Sequence, residues 1–153
     1  HVGKWPALIV FFIDVIKGTL PVLVARFLLL NDYWQVAAGL AALFGHIWPI
    51  WLRGKGGKAV ATGLGMLLGI SWPVGAACFG IFLTVISLTR IVSISSISAA
   101  ISLPILMYYS FENNIFKPAY FILSLTTMVL VIWKHRSNIQ RLIAGKEPKI
   151  GQS

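Results

Sequence analysis

Six long apolar stretches, separated by short polar segments, dominate the sequence. A helix needs about 20 apolar residues to cross the hydrocarbon core of a bilayer, and these stretches approach that length. We therefore predict an all-α fold, a polytopic transmembrane helical bundle in which residues 1–153 form a single domain. The predicted segments are Pro6–Leu30, Trp34–Leu52, Ala59–Ile70, Pro73–Thr89, Ile91–Ser110 and Pro118–Trp133.

The third segment is shorter than the others, because a helix over Ala59–Ile70 would rise only about 18 Å. It either crosses a thinned region or enters and leaves on one side, and both arrangements place its N-terminal end near a polar cavity. Gly65 and Gly69 have the four-residue spacing that lets neighbouring helices approach closely.

The composition agrees with a membrane protein, since 58% of residues are apolar and only 11% are charged. The basic residues gather in segments that alternate with the spans: Lys4, the loop 53–58, Arg90 and the C-terminal tail. The positive-inside rule assigns these segments to the cytoplasmic face. This topology and attraction to anionic lipid headgroups explain the net charge of +9, and we expect no nucleic acid partner.

Charged residues inside a span are costly and are usually paired or functional. Asp14 and Lys17 lie three apart on one face of the first segment, and we favour a structural ion pair over a substrate role. His46 ends the second span just before a glycine-rich loop. It either contacts a ligand or forms a hydrogen bond to a neighbouring helix.

A basic, glycine-rich loop between the second and third segments is the best clue to function. Glycines let the backbone approach a ligand, lysines supply positive charge, and the N–H groups at a helix start attract anions. The loop therefore predicts a phosphate site at the membrane surface. Its candidate residues are Gly54, Lys55, Gly56, Gly57 and Lys58.

Two further polar groups lie on the predicted cytoplasmic side. Arg90 precedes Ser93 and Ser96; one nearby serine is expected to cap the fifth helix, and the remaining hydroxyls could join a phosphate or alcohol site. In the tail, His135 and Asn138 would share one face of a continuing helix and point toward the cytoplasmic mouth. A basic helix at this position is also typical of a lipid-facing anchor.

Several enzyme classes are excluded by motif. The loop does not match the Walker A pattern, because Ala59 stands where a Ser or Thr would bind magnesium. The four acidic residues lack metal-site spacing, so we predict no metal and no cofactor. No histidine is followed by the aspartate of the soluble-type glycerolipid acyltransferases.

The motifs resemble the PlsY family of bacterial acyl-phosphate:glycerol-3-phosphate acyltransferases along the whole chain. The resemblance rests on the Asp14–Lys17 region with Pro21, on His46 to Pro49, on Gly54 to Thr62, on Arg90 with the serines, and on His135 to Leu142 with Gly145. Two departures stand out. Ala59 replaces the glycine of many members, a change we regard as compatible with a helix start. We also expect that a first span and a glycine- and asparagine-rich loop precede this chain.

The resemblance implies a seven-span enzyme of the bacterial inner membrane, with its active site on the cytoplasmic side. It would transfer an acyl group from acyl phosphate to the 1-hydroxyl of glycerol 3-phosphate, giving lysophosphatidic acid and phosphate, without an obligatory protein partner. The loop with Lys58 would bind phosphate, Ser96 would contact glycerol phosphate, and His135 and Asn138 would position the alcohol or polarise the carbonyl. The general base is either a phosphate oxygen or His135.

Two other classes remain open from the residues alone. Transporters place anionic substrates at the N-terminus of a broken helix, although no internal repeat pairs the short third segment with a counterpart. A lipid-binding structural subunit without chemistry is the third reading.

Overall fold

The computed structural model describes residues 4–50, 53, 56–110 and 117–151. This part of the chain forms seven helices, and each of the six predicted segments overlaps one of them, so the all-helical prediction is confirmed. The chain divides into two compact units, His1–Gly75 and Ala76–Ser153. In chain order the helices are α1 Lys4–Phe27, α2 Asp32–Ile47, α3 Val60–Ile70, α4 Trp72–Thr89, α5 Val92–Tyr109, α6 Pro118–Lys134 and α7 Arg136–Ile143.

Within the described residues, three helices are long and apolar enough to cross a membrane on their own: Trp5–Phe27 of α1, α4 and α5. The α6 and α7 helices meet this criterion together, but they are bent by 57° at their junction. The α2 helix has 16 residues and α3 only 11. The short third segment predicted from the sequence is thus a short helix.

In the first unit, glycines allow α1 and α3 to pack backbone against backbone. A Cβ at Gly65 would overlap the Val15 carbonyl oxygen, and one at Gly18 would overlap the carbonyl oxygen of Thr62. A Cβ at Gly69 would lie 2.9 Å from Cβ of Val22. The small-residue spacing therefore serves close helix packing, as predicted.

Two polar side chains of α1 bond to carbonyl groups of the short helix α3. Thr19 Oγ1 donates to the Gly65 carbonyl at 2.7 Å, and Arg26 Nη1 donates to the Gly69 carbonyl at 3.0 Å. The last four carbonyls of a helix lack partners within it, and water is scarce in the bilayer. Arg26 therefore satisfies one of the last carbonyl groups of α3.

The α2 helix ends at Ile47, five residues before the predicted end of its segment. Its C-cap, Trp48, has φ −126° and ψ 64°, outside the helical region. Pro49 follows, and the residue before a proline is disfavoured in helical conformation. The helix therefore stops just before the glycine-rich loop, which positions His46 in its last turn.

In the second unit, α5 packs on α6 around buried Leu103, Met107 and Leu123. The sequence analysis placed His135 and Asn138 on a helix that continues α6. In the structure His135 interrupts the helix, and a separate helix, α7, starts at Arg136. The α7 helix ends in a Schellman motif with Gly145 at φ 67°. Its two closing bonds run from Lys146 N to Arg141 O and from Gly145 N to Leu142 O.

Candidate active site

The described part of the glycine loop rests on the C-terminal end of α2. The Gly57 N–H donates to the His46 carbonyl at 3.2 Å. A Cβ at Gly57 would overlap Nε2 of the His46 ring, and one at Gly56 would overlap the carbonyl oxygen of His46. Both glycines are therefore needed for this close approach of loop and helix. Gly54 and Lys55 lie outside the described residues.

The loop leads into an α3 N-terminus that has no side-chain cap. Four N–H groups at a helix start lack partners within the helix, and together with the helix dipole they favour an anion. Thr62 lies in this first turn; its Oγ1 is buried and has no hydrogen-bond partner among the described residues. Lys58 is exposed two residues before the helix. The predicted phosphate-binding features thus occur together here.

Ala59, the N-cap of α3, adopts φ 67° and ψ 6°, in the left-handed region. This conformation is free for glycine and costs an L-residue with a Cβ about 1–2 kcal/mol. A helix does start directly after Ala59, as expected, but the alanine adopts a backbone conformation that glycine would adopt at lower cost. The methyl group is fully buried, so the chain tolerates a strained backbone at this point.

Besides the glycine loop and the start of α3, a second group of polar side chains surrounds the carboxylate of Glu147. Ser93 Oγ donates to Glu147 Oε1 at 2.7 Å, and Asn138 Nδ2 donates to the same oxygen at 2.6 Å. The structure thereby brings together two predicted site residues from different helices. Because a carboxylate oxygen only accepts, these bonds also fix the Asn138 amide with its nitrogen toward Glu147.

The other carboxylate oxygen, Oε2, accepts from Arg141 Nε at 2.7 Å, which completes an ion pair. Desolvation of the Glu147 side chain, which is 5% exposed, would raise its pKa. The hydrogen bonds from Asn138, Ser93 and Arg141 and the Arg141 charge outweigh this, so the pKa lies below its ordinary value of 4.5. Glu147 is therefore a stable anion at neutral pH.

The sequence analysis missed Glu147 as part of this group. A signal was available, because it is an acidic residue in a strongly basic tail and follows the helix-ending Gly145. The Schellman motif turns the chain back toward α5, where Ile150 N also donates to the Arg90 carbonyl at 2.8 Å. The tail after α7 is thus tied to the start of α5.

Two other predicted site residues, Ser96 in α5 and Arg90 just before it, are placed differently: Ser96 bonds within its own helix and Arg90 is exposed. Ser96 Oγ donates to the Val92 carbonyl at 2.9 Å within the same helix and is buried. The side chain of Arg90 is exposed, and its backbone has φ 58°. The expected serine cap is absent from the described structure, because the N-cap is Ile91, whose side chain makes no cap hydrogen bond. The N–H of Ile91 donates to Thr89 Oγ1 at 3.1 Å.

His135 is buried at the junction of α6 and α7, with 2% of its surface exposed. Its Nδ1 lies 2.8 Å from the Val131 carbonyl oxygen. A carbonyl only accepts, so Nδ1 carries the proton and Nε2 is the basic nitrogen of the neutral ring. The ring is therefore held in one tautomer, with a nitrogen of the right kind to accept a proton.

The candidate residues fall into two sets. Gly56, Gly57 and Lys58 belong to the first unit, whereas Arg90, Ser93, Ser96, His135 and Asn138 belong to the second. Among residues 4–50, 53, 56–110 and 117–151, no group of three or more His, Cys, Asp or Glu side chains could hold a metal ion. The chemistry offered by these sets is anion binding, hydrogen bonding and acid–base catalysis.

Comparison with known proteins gives a consistent result. Residues 1–145 match the family model described as glycerol-3-phosphate acyltransferase. A glycerol-3-phosphate acyltransferase of Prochlorococcus marinus (strain MIT 9313) is 70% identical over 153 residues, which is 100% of this chain and 74% of the relative. One from Parasynechococcus marenigrum (strain WH8102) is 62% identical over 152 residues, covering 99% and 70% of the two chains.

Two solved structures are also similar, both of PlsY, an integral membrane glycerol 3-phosphate acyltransferase. The glycerol 3-phosphate form has a TM-score of 0.91 and 33% identity, covering 98% of this chain and 74% of that one. The lysophosphatidic acid form has the same TM-score and identity, covering 99% and 76%.

Proposed function

Because the chain belongs to the glycerol-3-phosphate acyltransferase family, whose model matches residues 1–145, we propose that it acylates glycerol 3-phosphate with acyl phosphate as the donor. It is a membrane acyltransferase. What we propose is the identity of the acyl donor and of the residues that bind the substrates and catalyse the transfer. The single observation that carries it is the uncapped start of α3, preceded by two tightly packed glycines and Lys58. The solved PlsY forms with glycerol 3-phosphate and lysophosphatidic acid support the acceptor and the product.

The reaction needs no redox cofactor and balances with the two substrates alone. The 1-hydroxyl oxygen of glycerol 3-phosphate attacks the carbonyl carbon of acyl phosphate and forms the ester bond. The bond between that carbon and the phosphate oxygen breaks, and inorganic phosphate leaves with the electron pair. The proton of the hydroxyl goes either to the leaving phosphate or to a protein base. The products are lysophosphatidic acid and phosphate.

The glycine loop and the start of α3 would bind one of the phosphate groups. Backbone N–H groups and Lys58 supply charge-assisted hydrogen bonds, which are about twice as strong as neutral ones. Their fixed position stabilises the negative charge that develops as phosphate leaves. Among the described residues no carboxylate caps this helix start, so an external anion is the natural partner of these N–H groups.

In the second unit, Asn138 and Ser93 would position the alcohol or polarise the carbonyl, with Ser96 and Arg90 contacting glycerol phosphate. Glu147 supports this role, because it holds Ser93 and Asn138 on one carboxylate oxygen. Orientation of bound reactants can supply a large part of the rate. His135 offers Nε2 as the base; the alternative is a phosphate oxygen, which titrates near pH 6.

We also propose that the site faces the cytoplasm at the bacterial inner membrane. The basic residues of the loop and tail support this orientation through the positive-inside rule. The acyl chain would remain in the lipid while the charged head groups stay at the surface.

The test is an assay with the purified full-length enzyme, acyl phosphate, glycerol 3-phosphate and a chelator of divalent metals. We expect lysophosphatidic acid and phosphate in equal amounts. Parallel assays replace acyl phosphate by acyl-CoA or acyl-acyl carrier protein, and these should give no product. Uptake of glycerol 3-phosphate into vesicles without acylation would indicate a transporter and overturn the proposal.

A further inference from the structure

His46, which contacts the glycine loop, and Asp14, which lies near the His46 ring, have no role in the chemistry proposed above. We propose that His46 is a positioning residue for the phosphate loop, and that Asp14 of α1 holds its ring in place. This inference rests on the proposed function, since it names what fixes the loop that would bind phosphate. It also gives Gly57 a second reason to be glycine, which is contact with the His46 ring.

The contact between His46 and the loop involves both backbone and ring. The His46 carbonyl accepts the Gly57 N–H at 3.2 Å, and Nε2 of the ring occupies the space where a Cβ of residue 57 would lie. The φ of Gly57 lies outside the left-handed region, so its backbone conformation is one that alanine can adopt. Steric conflict with the ring is therefore the specific reason why a side chain is excluded at this position.

The other ring nitrogen of His46 lies near α1. Nδ1 of His46 lies 3.8 Å from Oδ1 of Asp14, a distance at which the interaction is electrostatic rather than a hydrogen bond. Asp14 itself is paired with Lys17 at 2.5 Å, which confirms the ion pair expected from their spacing. The Asp14 and His46 side chains are only 17% and 13% exposed.

These contacts link the middle of α1 to the phosphate loop through one imidazole ring. A buried carboxylate in an apolar helix is costly, and Lys17 compensates part of its charge. The part of the Asp14 charge that Lys17 does not compensate restrains the His46 ring. The ring in turn restrains the backbone at Gly57. Movement of Gly57 would displace Lys58, the next residue along the chain, and loosen the binding of phosphate.

A double-mutant cycle tests whether the ring and Gly57 are coupled. We expect His46→Ala and Gly57→Ala each to raise the KM for a phosphate-bearing substrate about tenfold, with kcat changed less than about threefold. In the double variant, alanine at 57 occupies the space vacated by the ring, so its KM should stay within about twofold of the worse single variant. Gly45→Ala is the matched control, because a Cβ there meets nothing within 4 Å.

The proposal is overturned if Gly57→Ala raises KM by the same factor with and without the His46 ring, since the glycine would then serve the ligand alone. If His46→Ala does not fold, His46→Asn gives the same cycle with a smaller polar side chain. Asp14→Asn should raise KM in the same direction as His46→Ala, and an effect on kcat alone would contradict a positioning role.

Failure of the proposed function would look different. Wild-type enzyme would then form no lysophosphatidic acid from acyl phosphate. The cycle can still be measured by the midpoint of thermal unfolding, because steric conflict between the ring and alanine at 57 lowers stability whatever the substrate. Coupling in that measurement would support the contact, and additive effects would overturn it.

Discussion

The two polar regions of this molecule handle negative charge in opposite ways. At the start of α3, backbone N–H groups have no side-chain cap and are preceded by Lys58. In the Glu147 cluster, Ser93, Asn138 and Arg141 already donate to a carboxylate of the protein itself. The first region is suited to an external anion, whereas the second is held together by an internal one.

This contrast predicts different effects of substitution in the two regions on substrate binding and on the stability of the fold. Substitutions in the α3 region should weaken the binding of substrate while leaving the fold largely intact. Substitutions in the Glu147 cluster should lower stability and activity together, because the same bonds hold the tail and orient the candidate catalytic side chains. The following variants test each half of the comparison.

The largest effect is expected for Lys58→Ala. Loss of a charge-assisted contact to phosphate in the transition state should lower kcat/KM by about 100-fold or more. Because Lys58 is exposed, the midpoint of thermal unfolding in detergent should change little. Steady-state kinetics and a thermal unfolding curve on the same preparation measure both quantities.

Lys149→Ala is the matched control, since it removes an exposed tail lysine and should leave kcat/KM within about twofold. If Lys58→Ala behaves like this control, the loop does not bind the reacting phosphate. The interpretation of the α3 start as a site for an external anion would then be wrong.

Glu147→Gln should lower kcat/KM about tenfold and also reduce the midpoint of thermal unfolding. The substitution removes the ion pair with Arg141, and a glutamine amide accepts hydrogen bonds only at its oxygen, whereas the carboxylate accepts at both oxygens. The pKa of Glu147 is lowered in the folded protein, so its carboxylate stabilises the fold above the ordinary value of 4.5. That stabilisation is lost as the pH falls through the lowered pKa.

Unfolding midpoints of wild type and Glu147→Gln should therefore differ at pH 7 and converge in strong acid. Gln140→Ala, on the exposed surface of α7, controls for a general disturbance of the tail. A constant difference at every pH would mean that the carboxylate charge does not stabilise the cluster.

The same comparison shows what the sequence could predict. The helical segments follow from long apolar runs, and the glycine loop is a contiguous motif whose chemistry can be read residue by residue. The close packing of α1 and α3 also follows from local spacing of small residues, and Gly65 and Gly69 confirm it.

The remaining features depend on contacts or angles that no local pattern specifies. Ser93 and Glu147 are 54 positions apart, so their bond appears only when α7 ends at Gly145 and the chain turns back. The interruption at His135 and the left-handed backbone of Ala59 are likewise set by packing. Alanine favours a helical backbone and histidine is tolerated in one, so neither residue type signals these features.

A smaller effect is expected for Thr62→Val, which sharpens the assignment of the α3 region. The buried Oγ1 has no partner among the described residues, and valine has the same shape without the hydroxyl. If this hydroxyl donates to bound phosphate, KM should rise about fivefold. The unfolding midpoint should stay equal or increase, because an unsatisfied buried hydroxyl is removed.

Thr127→Val is the matched control, since Thr127 Oγ1 of α6 is also buried and unpartnered within the described residues. It should have the same small effect on stability and none on KM. A KM that rises equally in both variants would show that the hydroxyl of Thr62 has no special relation to the substrate.

The smallest effect is expected for Ala59→Gly, which concerns the backbone at the same helix start. Glycine adopts φ 67° without the steric cost borne by alanine, but it loses a buried methyl group and more chain entropy on folding. The net gain in the free energy of unfolding should be at most about 1 kcal/mol. Ala41→Gly, at an exposed position inside α2, should instead lose about 0.5–1 kcal/mol. Denaturant unfolding of both variants measures the difference, and equal losses would show that the left-handed conformation of Ala59 carries no strain.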